Sequence, residues 1–190
     1  MISVVIPTHE SERLLVPTLA ALVPGAIAGV VREVIIADAG SQDGTAKVAD
    51  VAGCRVEVVP GPLGARLASA TNVARAPWLM FLRPGSVPEA NWIDAIENFL
   101  GECELDAQER AAVFRRRARR DRSAFGEMLA LAAIALGARP TPDQGLLIAK
   151  DLYARIGGHS ASVSDPETEI LRRLGRNKIT VFDCAMAQAR

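Results

Sequence analysis

The chain has 190 residues, 49% of them apolar and 4% aromatic, with 22 Lys and Arg balanced by 22 Asp and Glu. This length suits one domain with a substantial core, and the composition excludes a disordered chain. Zero net charge and scarce aromatic rings argue against a nucleic-acid partner.

Short β-branched runs alternate with helical patterns through the first half. Strands are expected at 3–7 ("SVVIP"), 31–38 ("VREVIIAD"), 55–61 ("RVEVVPG") and 78–82 ("WLMFL"). Helices are expected at 12–23, with Pro17 near its start, and at 42–53, 64–76 and 88–101. Near-continuous apolar strands alternating with helices predict a mostly parallel α/β sheet with helices on both faces. The second half reads as a strand at 111–117, an apolar helix at 123–138, a strand at 145–149, helices at 150–158 and 165–176, and a strand at 178–184. No repeat, linker or low-complexity tract divides the chain, so residues 1–190 are expected to form a single domain.

Cys54, Cys103 and Cys184 are too scattered for a metal cluster or disulfide framework and read as reduced, cytoplasmic thiols. "MISVVIPT" lacks a basic flank and a cleavage site and reads as the first strand. The longest apolar run, 129–138, is too short to span a bilayer. "RRRARRDR" over 115–122 carries six arginines and one aspartate. Its solvated reading is an edge strand and loop. Its position beside the apolar 123–138 also admits peripheral contact of 115–138 with the inner face of a membrane.

Ligands of such sheets sit beyond the carboxyl ends of the strands. Three ends carry polar punctuation: "PTHES", "ADAGSQDGT" and "RPGS". Gly40 permits a tight turn, and Ser41 or Asp43 can cap the following helix. Asp38 ends a buried strand, where a carboxylate costs desolvation unless something uses it.

In order and spacing, "SVVIPTHESERLLVPTLAAL", "REVIIADAGSQDGT", "ARAPWLMFLRPGSVPEANWI" and "DQGLLIAKDLYARIGGH" resemble a family 2 glycosyltransferase of the GT-A fold, a Rossmann-like architecture. The chain is similar to the short, soluble bacterial subgroup. The resemblance implies transfer of a hexose, with inversion, from a nucleotide-diphospho-sugar, here expected to be UDP-linked. The acceptor is left open between lipid, glycan and small molecule. By the same resemblance Pro7, Thr8 and Glu10 line the base and ribose, Asp38 hydrogen-bonds one of them, and the turn from Gly40 and Ser41 to Thr45 supports it. Arg66 lies in the segment that reaches toward the donor phosphates. Glu167 is the first choice for general base, followed by Asp165 and Asp143.

The family's Asp-x-Asp, which binds Mg²⁺ or Mn²⁺ and the donor diphosphate, falls on Arg83-Pro84-Gly85. Both metal ligands are missing there, so no metal is expected. Arg83 brings a positive charge and a planar fork suited to phosphate oxygens. Three readings stay open: a metal-independent transferase anchored by Arg83, a nucleotide-sugar-binding protein without turnover, and a plain type II turn with Arg83 on its surface. Asp165 and Glu167 likewise suit an ordinary first helical turn.

Overall fold

The computed structural model describes residues 1–106, 109–116 and 139–189. The helix expected at 123–138 and the arginine run beyond 116 lie outside them.

Eight strands form one sheet: β1 (Ile2–Thr8), β2 (Val31–Asp38), β3 (Arg55–Val58), β4 (Trp78–Phe81), β5 (Ser86–Pro88), β6 (Ala111–Arg116), β7 (Leu146–Ala149) and β8 (Ile179–Gln188). Their order is β3-β2-β1-β4-β7-β6-β8-β5. The β3-β2-β1-β4 half is wholly parallel, β7 runs antiparallel between β4 and β6, and β5 runs antiparallel to β8 at the edge. The helices are α1 (Glu12–Ile27), α2 (Thr45–Val51), α3 (Leu63–Val73), α4 (Trp92–Asp106), α5 (Lys150–Arg155) and α6 (Pro166–Leu174).

Period-two alternation divides the strand side chains between two cores. Ile2, Val4, Ile6, Met80, Ala112 and Phe114 face α1, α2 and α4, whose Leu15, Leu19, Ala49, Trp92 and Ile96 close that layer. Val5, Leu79, Phe81, Ala111 and Val113 face α3, α5 and α6 through Leu67, Leu152, Ile170 and Leu171. Every residue of β1 is buried, as a central strand covered on both faces requires. The first core also holds an aromatic chain: Phe99 packs edge-on against Trp78 and Phe182, and Phe182 against Phe114.

Several boundaries differ from the sequence expectation. The first helix runs on through Pro24 to Ile27. Proline normally breaks a helix interior, but here the next residue, Gly25, lies against Trp92, and a Cβ there would sit 2.3 Å from the indole. The fourth helix begins at Trp92 rather than 88, because Ser86–Pro88 pair with β8 as an edge strand, where a proline is tolerated. The last strand reaches Gln188 rather than 184, since its second half pairs with β5.

Candidate functional site

The carboxyl ends of β2, β1 and β4 lie side by side, and two groups of polar residues are built on them. The first begins with the register partners Thr8 and Asp38. Asp38 is 2% exposed. Its Oδ1 accepts from the Thr8 hydroxyl at 2.7 Å and the Ser41 hydroxyl at 2.6 Å, and its Oδ2 from the amides of Gly40 at 2.9 Å and Ser41 at 2.7 Å. Burial alone would raise its pKa, but the bonds from Ser41, Thr8 and Gly40 outweigh burial and hold it below the ordinary value. Gly40, at φ +93, makes the turn back onto Asp38.

Pro7 is buried in β1 opposite Ala37. Glu10 is exposed. Its amide donates to Ser41 Oγ, its Oε1 accepts from the Gln42 amide, and its φ is +48. That left-handed conformation suits asparagine better than glutamate. Asp43 accepts from the Thr45 amide at the start of α2 and from the Glu12 amide at the start of α1, so it ties the two loops together. Arg66, on α3, donates from Nη1 to the Thr8 carbonyl at 2.7 Å, with a longer contact to Ala37. Its Nε is buried without a partner. In this state the guanidinium clamps the ends of β1 and β2.

The second group centres on Arg83, just past β4. Arg83 donates from Nε at 3.0 Å and from Nη2 at 2.5 Å to Glu167 Oε2, and from Nη1 at 2.9 Å to Asp143 Oδ1. The Arg83 side chain is 37% exposed, that of Asp143 54% and that of Glu167 11%. Burial pulls the guanidinium pKa down, but Glu167 and then Asp143 outweigh it and hold the pKa up. The expected type II turn is present: the Ser86 amide donates to the Arg83 carbonyl, with Gly85 at φ +90. Arg83 is nevertheless more than a surface residue beside that turn, because its whole fork is engaged.

Each partner is positioned by local chemistry. Pro166 opens α6 and Glu167 follows in its first turn, while Asp165 accepts from the Thr168 amide as the cap. Those Thr168 bonds, with a smaller contribution from Arg83, keep the Asp165 carboxyl below its ordinary pKa. Asp143 sits in a 3-10 turn, Pro142–Gln144, closed by a capping box between Thr141 and Gln144. Gln144 Nε2 anchors that turn to the Phe114 carbonyl, and Gln188 Nε2 donates to the Asp143 carbonyl.

The structure thus joins Arg83, Glu167 and Asp143 directly and leaves Asp165 beside them as a cap. It gathers Thr8, Glu10, Asp38, Gly40 and Ser41 in the neighbouring loops. Gln144 falls within the "DQG" of the resemblance, but sequence reasoning did not foresee its anchoring role and missed Gln188. The Thr-x-x-Gln spacing of "TPDQ" carried a signal for Gln144, whereas Gln188 depends on the β5–β8 pairing and left none.

His9 is exposed, and His159 is buried. His159 Nδ1 lies 3.0 Å from the Tyr153 hydroxyl, which also accepts from the His159 amide. Burial, with help from Arg173, pushes the His159 pKa down to about 3 from 6.5. A lowered histidine pKa means that the unfolded chain binds the proton more readily. The stability His159 confers is complete above pH 6.5 and falls toward pH 3, on the order of 1 kcal/mol per pH unit. Urea unfolding of wild type between pH 7 and 4 should show this slope, and His159→Gln should flatten it.

Among the described residues, no group of three or more His, Cys, Asp and Glu side chains is arranged to hold a metal ion. No described helix is long and apolar enough to cross a membrane. The fold is shared with glucosyl-3-phosphoglycerate synthase from Mycobacterium tuberculosis, solved with Mn²⁺, UDP and glucosyl-3-phosphoglycerate. That match has a TM-score of 0.66 at 21% identity and covers 100% of this chain and 72% of the synthase. A mannosyltransferase from Pyrobaculum calidifontis, solved with GDP-Man and Mn²⁺, matches at TM-score 0.69 and 16% identity, over 95% of this chain and 53% of its own. Both are GT-A glycosyltransferases. No curated protein matches the chain in sequence at a significant level. The model of glycosyl transferase family 2 matches residues 3–102, more than half of the chain, and the protein belongs to that family.

Proposed function

We propose that the protein transfers a hexose, with inversion, from a UDP-linked sugar to an acceptor hydroxyl, and that Arg83 takes the place of the divalent metal. The observation that carries this reading is the Arg83 fork at the end of β4, where family resemblance puts the Asp-x-Asp. A divalent cation such as Mg²⁺ needs oxygen ligands. Here the side chain is a guanidinium, and the carboxylate oxygens facing it, Asp143 Oδ1 and Glu167 Oε2, already accept its N–H groups. These residues do not fit a divalent cation, and stabilising the departing diphosphate falls to Arg83 as preorganised positive charge. The structural neighbours hold UDP or GDP-Man, which supports a nucleotide-diphospho-sugar donor.

The loops after β1 and β2, organised by Asp38, receive the nucleoside through Pro7, Thr8, Glu10, Gly40 and Ser41. Arg66, on the same strand ends, faces the phosphate side. The acceptor oxygen attacks the anomeric carbon on the face opposite the diphosphate. The carbon–oxygen bond to the diphosphate breaks, and its electron pair leaves with the phosphate oxygen. The hydroxyl proton passes to Glu167. Asp143 and Asp165 stand behind it as the next carboxylates. A lipid acceptor would draw on the basic and apolar run 115–138, and the three scattered cysteines fit a cytoplasmic setting.

A second reading has a specific observation in its favour. With each of its three guanidinium nitrogens donating to a carboxylate, Arg83 rests in an ion pair, and the protein is also suited to bind nucleotide sugars without turnover. Release of UDP from UDP-glucose in EDTA, with lipid and glycan extracts supplied as acceptors, separates the two. Acceptor-dependent release supports the transferase, and binding without release supports the second reading.

A further inference from the structure

The reading above needs Arg83 for the diphosphate, yet each of its three guanidinium nitrogens donates to Glu167 or Asp143, and Glu167 holds the whole Nε–Nη2 edge. We infer that these two carboxylates are a built-in counter-ion that the donor must displace, so that donor binding itself releases Glu167 for proton transfer. This inference rests on the transferase reading. Three geometric facts carry it. Glu167 Oε2 takes two of the Arg83 contacts, one from Nε and one from Nη2, and so occupies one edge of the fork. Asp143 takes the remaining Nη1 contact. Gly85, in the same turn, is fixed by its amide to Leu14 O and the Thr18 hydroxyl and by its carbonyl to the Ala189 amide, so the backbone next to Arg83 is tethered on two sides.

With this turn held, the exchange is made by side chains. A diphosphate offers the same bidentate oxygen geometry as a carboxylate, with more charge, and competes for the same donors. While the fork is closed on Glu167, the base is held by the arginine. When the diphosphate takes the fork, Glu167 Oε2 is freed from the guanidinium and left beside the reacting centre, open to the acceptor hydroxyl. The device orders the reaction, with the donor first and the acceptor proton second. Glu167, the less exposed partner, is the main latch, and the exposed Asp143 adds less.

The test is calorimetric titration of UDP and of uridine, in EDTA, into wild type, Glu167→Gln and Asp143→Asn. A site whose open form is the minor one loses affinity in proportion to that fraction. Glu167→Gln is therefore expected to tighten UDP on the order of tenfold, Asp143→Asn roughly threefold, and neither to change uridine. In an Arg83→Ala background, the gain from Glu167→Gln should vanish. A gain that persists without Arg83 reflects bulk charge and overturns the inference. Unchanged or weaker UDP binding in both single variants, with uridine still bound, also overturns it and leaves the nucleotide pocket standing. No binding of UDP or uridine by any form sinks the inference and the transferase reading together. If Glu167→Gln fails to fold, the exposed Asp143→Asn decides alone.

Discussion

Asp38→Ala is expected to destabilise the protein by about 3 kcal/mol and to abolish measurable uridine binding. The carboxylate is 2% exposed and accepts four hydrogen bonds. Removing it strands two amides and two hydroxyls, and each unsatisfied buried donor costs about 1–3 kcal/mol, less where water enters. Asp38→Asn should be less harmful, because the amide oxygen can accept from the Gly40 and Ser41 amides while its NH₂ donates to the Thr8 and Ser41 hydroxyls, which accept as well as donate. Two losses are expected together because the same bonds fold the Gly40–Ser41 turn that shapes the pocket. Chemical denaturation read beside uridine titration checks both. A stable Asp38→Ala that still binds uridine would remove Asp38 from the pocket.

Arg83→Ala is expected to weaken UDP by about a hundredfold while leaving uridine within about twofold. On the proposed reading the loops after β1 and β2, which Arg83 does not touch, hold the nucleoside, whereas the diphosphate meets the guanidinium. The variant also leaves Glu167, its side chain 11% exposed, without a cation. Because Arg83 is itself 37% exposed and solvent screens the pair, the stability loss should be only about 1–2 kcal/mol. Arg83→Lys keeps the charge but not the fork and should recover part of the UDP affinity. Equal weakening of UDP and uridine would make Arg83 a folding residue rather than an anion site.

The parallel half of the sheet was legible because each strand carries its own signal, an unbroken apolar run ended by polar turn residues. Asp38 stood out for the same reason, as a carboxylate at the end of such a run. The strand Ser86–Pro88 was not legible: three residues ending in proline carry no periodicity, and they become a strand only by pairing with the end of β8. Helix α1 overran its expected end because packing of Gly25 beneath Trp92 outweighs the local effect of Pro24. Sequence named Arg83, Glu167 and Asp143 separately. That they form one ion-paired group depends on bringing a strand end, a 3-10 turn and a helix start together, across 84 positions in the case of Arg83 and Glu167. The contact of Arg66 with the Thr8 carbonyl, 58 positions away, likewise left no local signal.

If Arg83 does the work of a metal, calorimetric titration of UDP into metal-stripped protein in EDTA, repeated with Mn²⁺ in place of EDTA, should give one affinity under both conditions, within about twofold. Binding that appears only with Mn²⁺ would refute that role and put a metal site elsewhere in the chain.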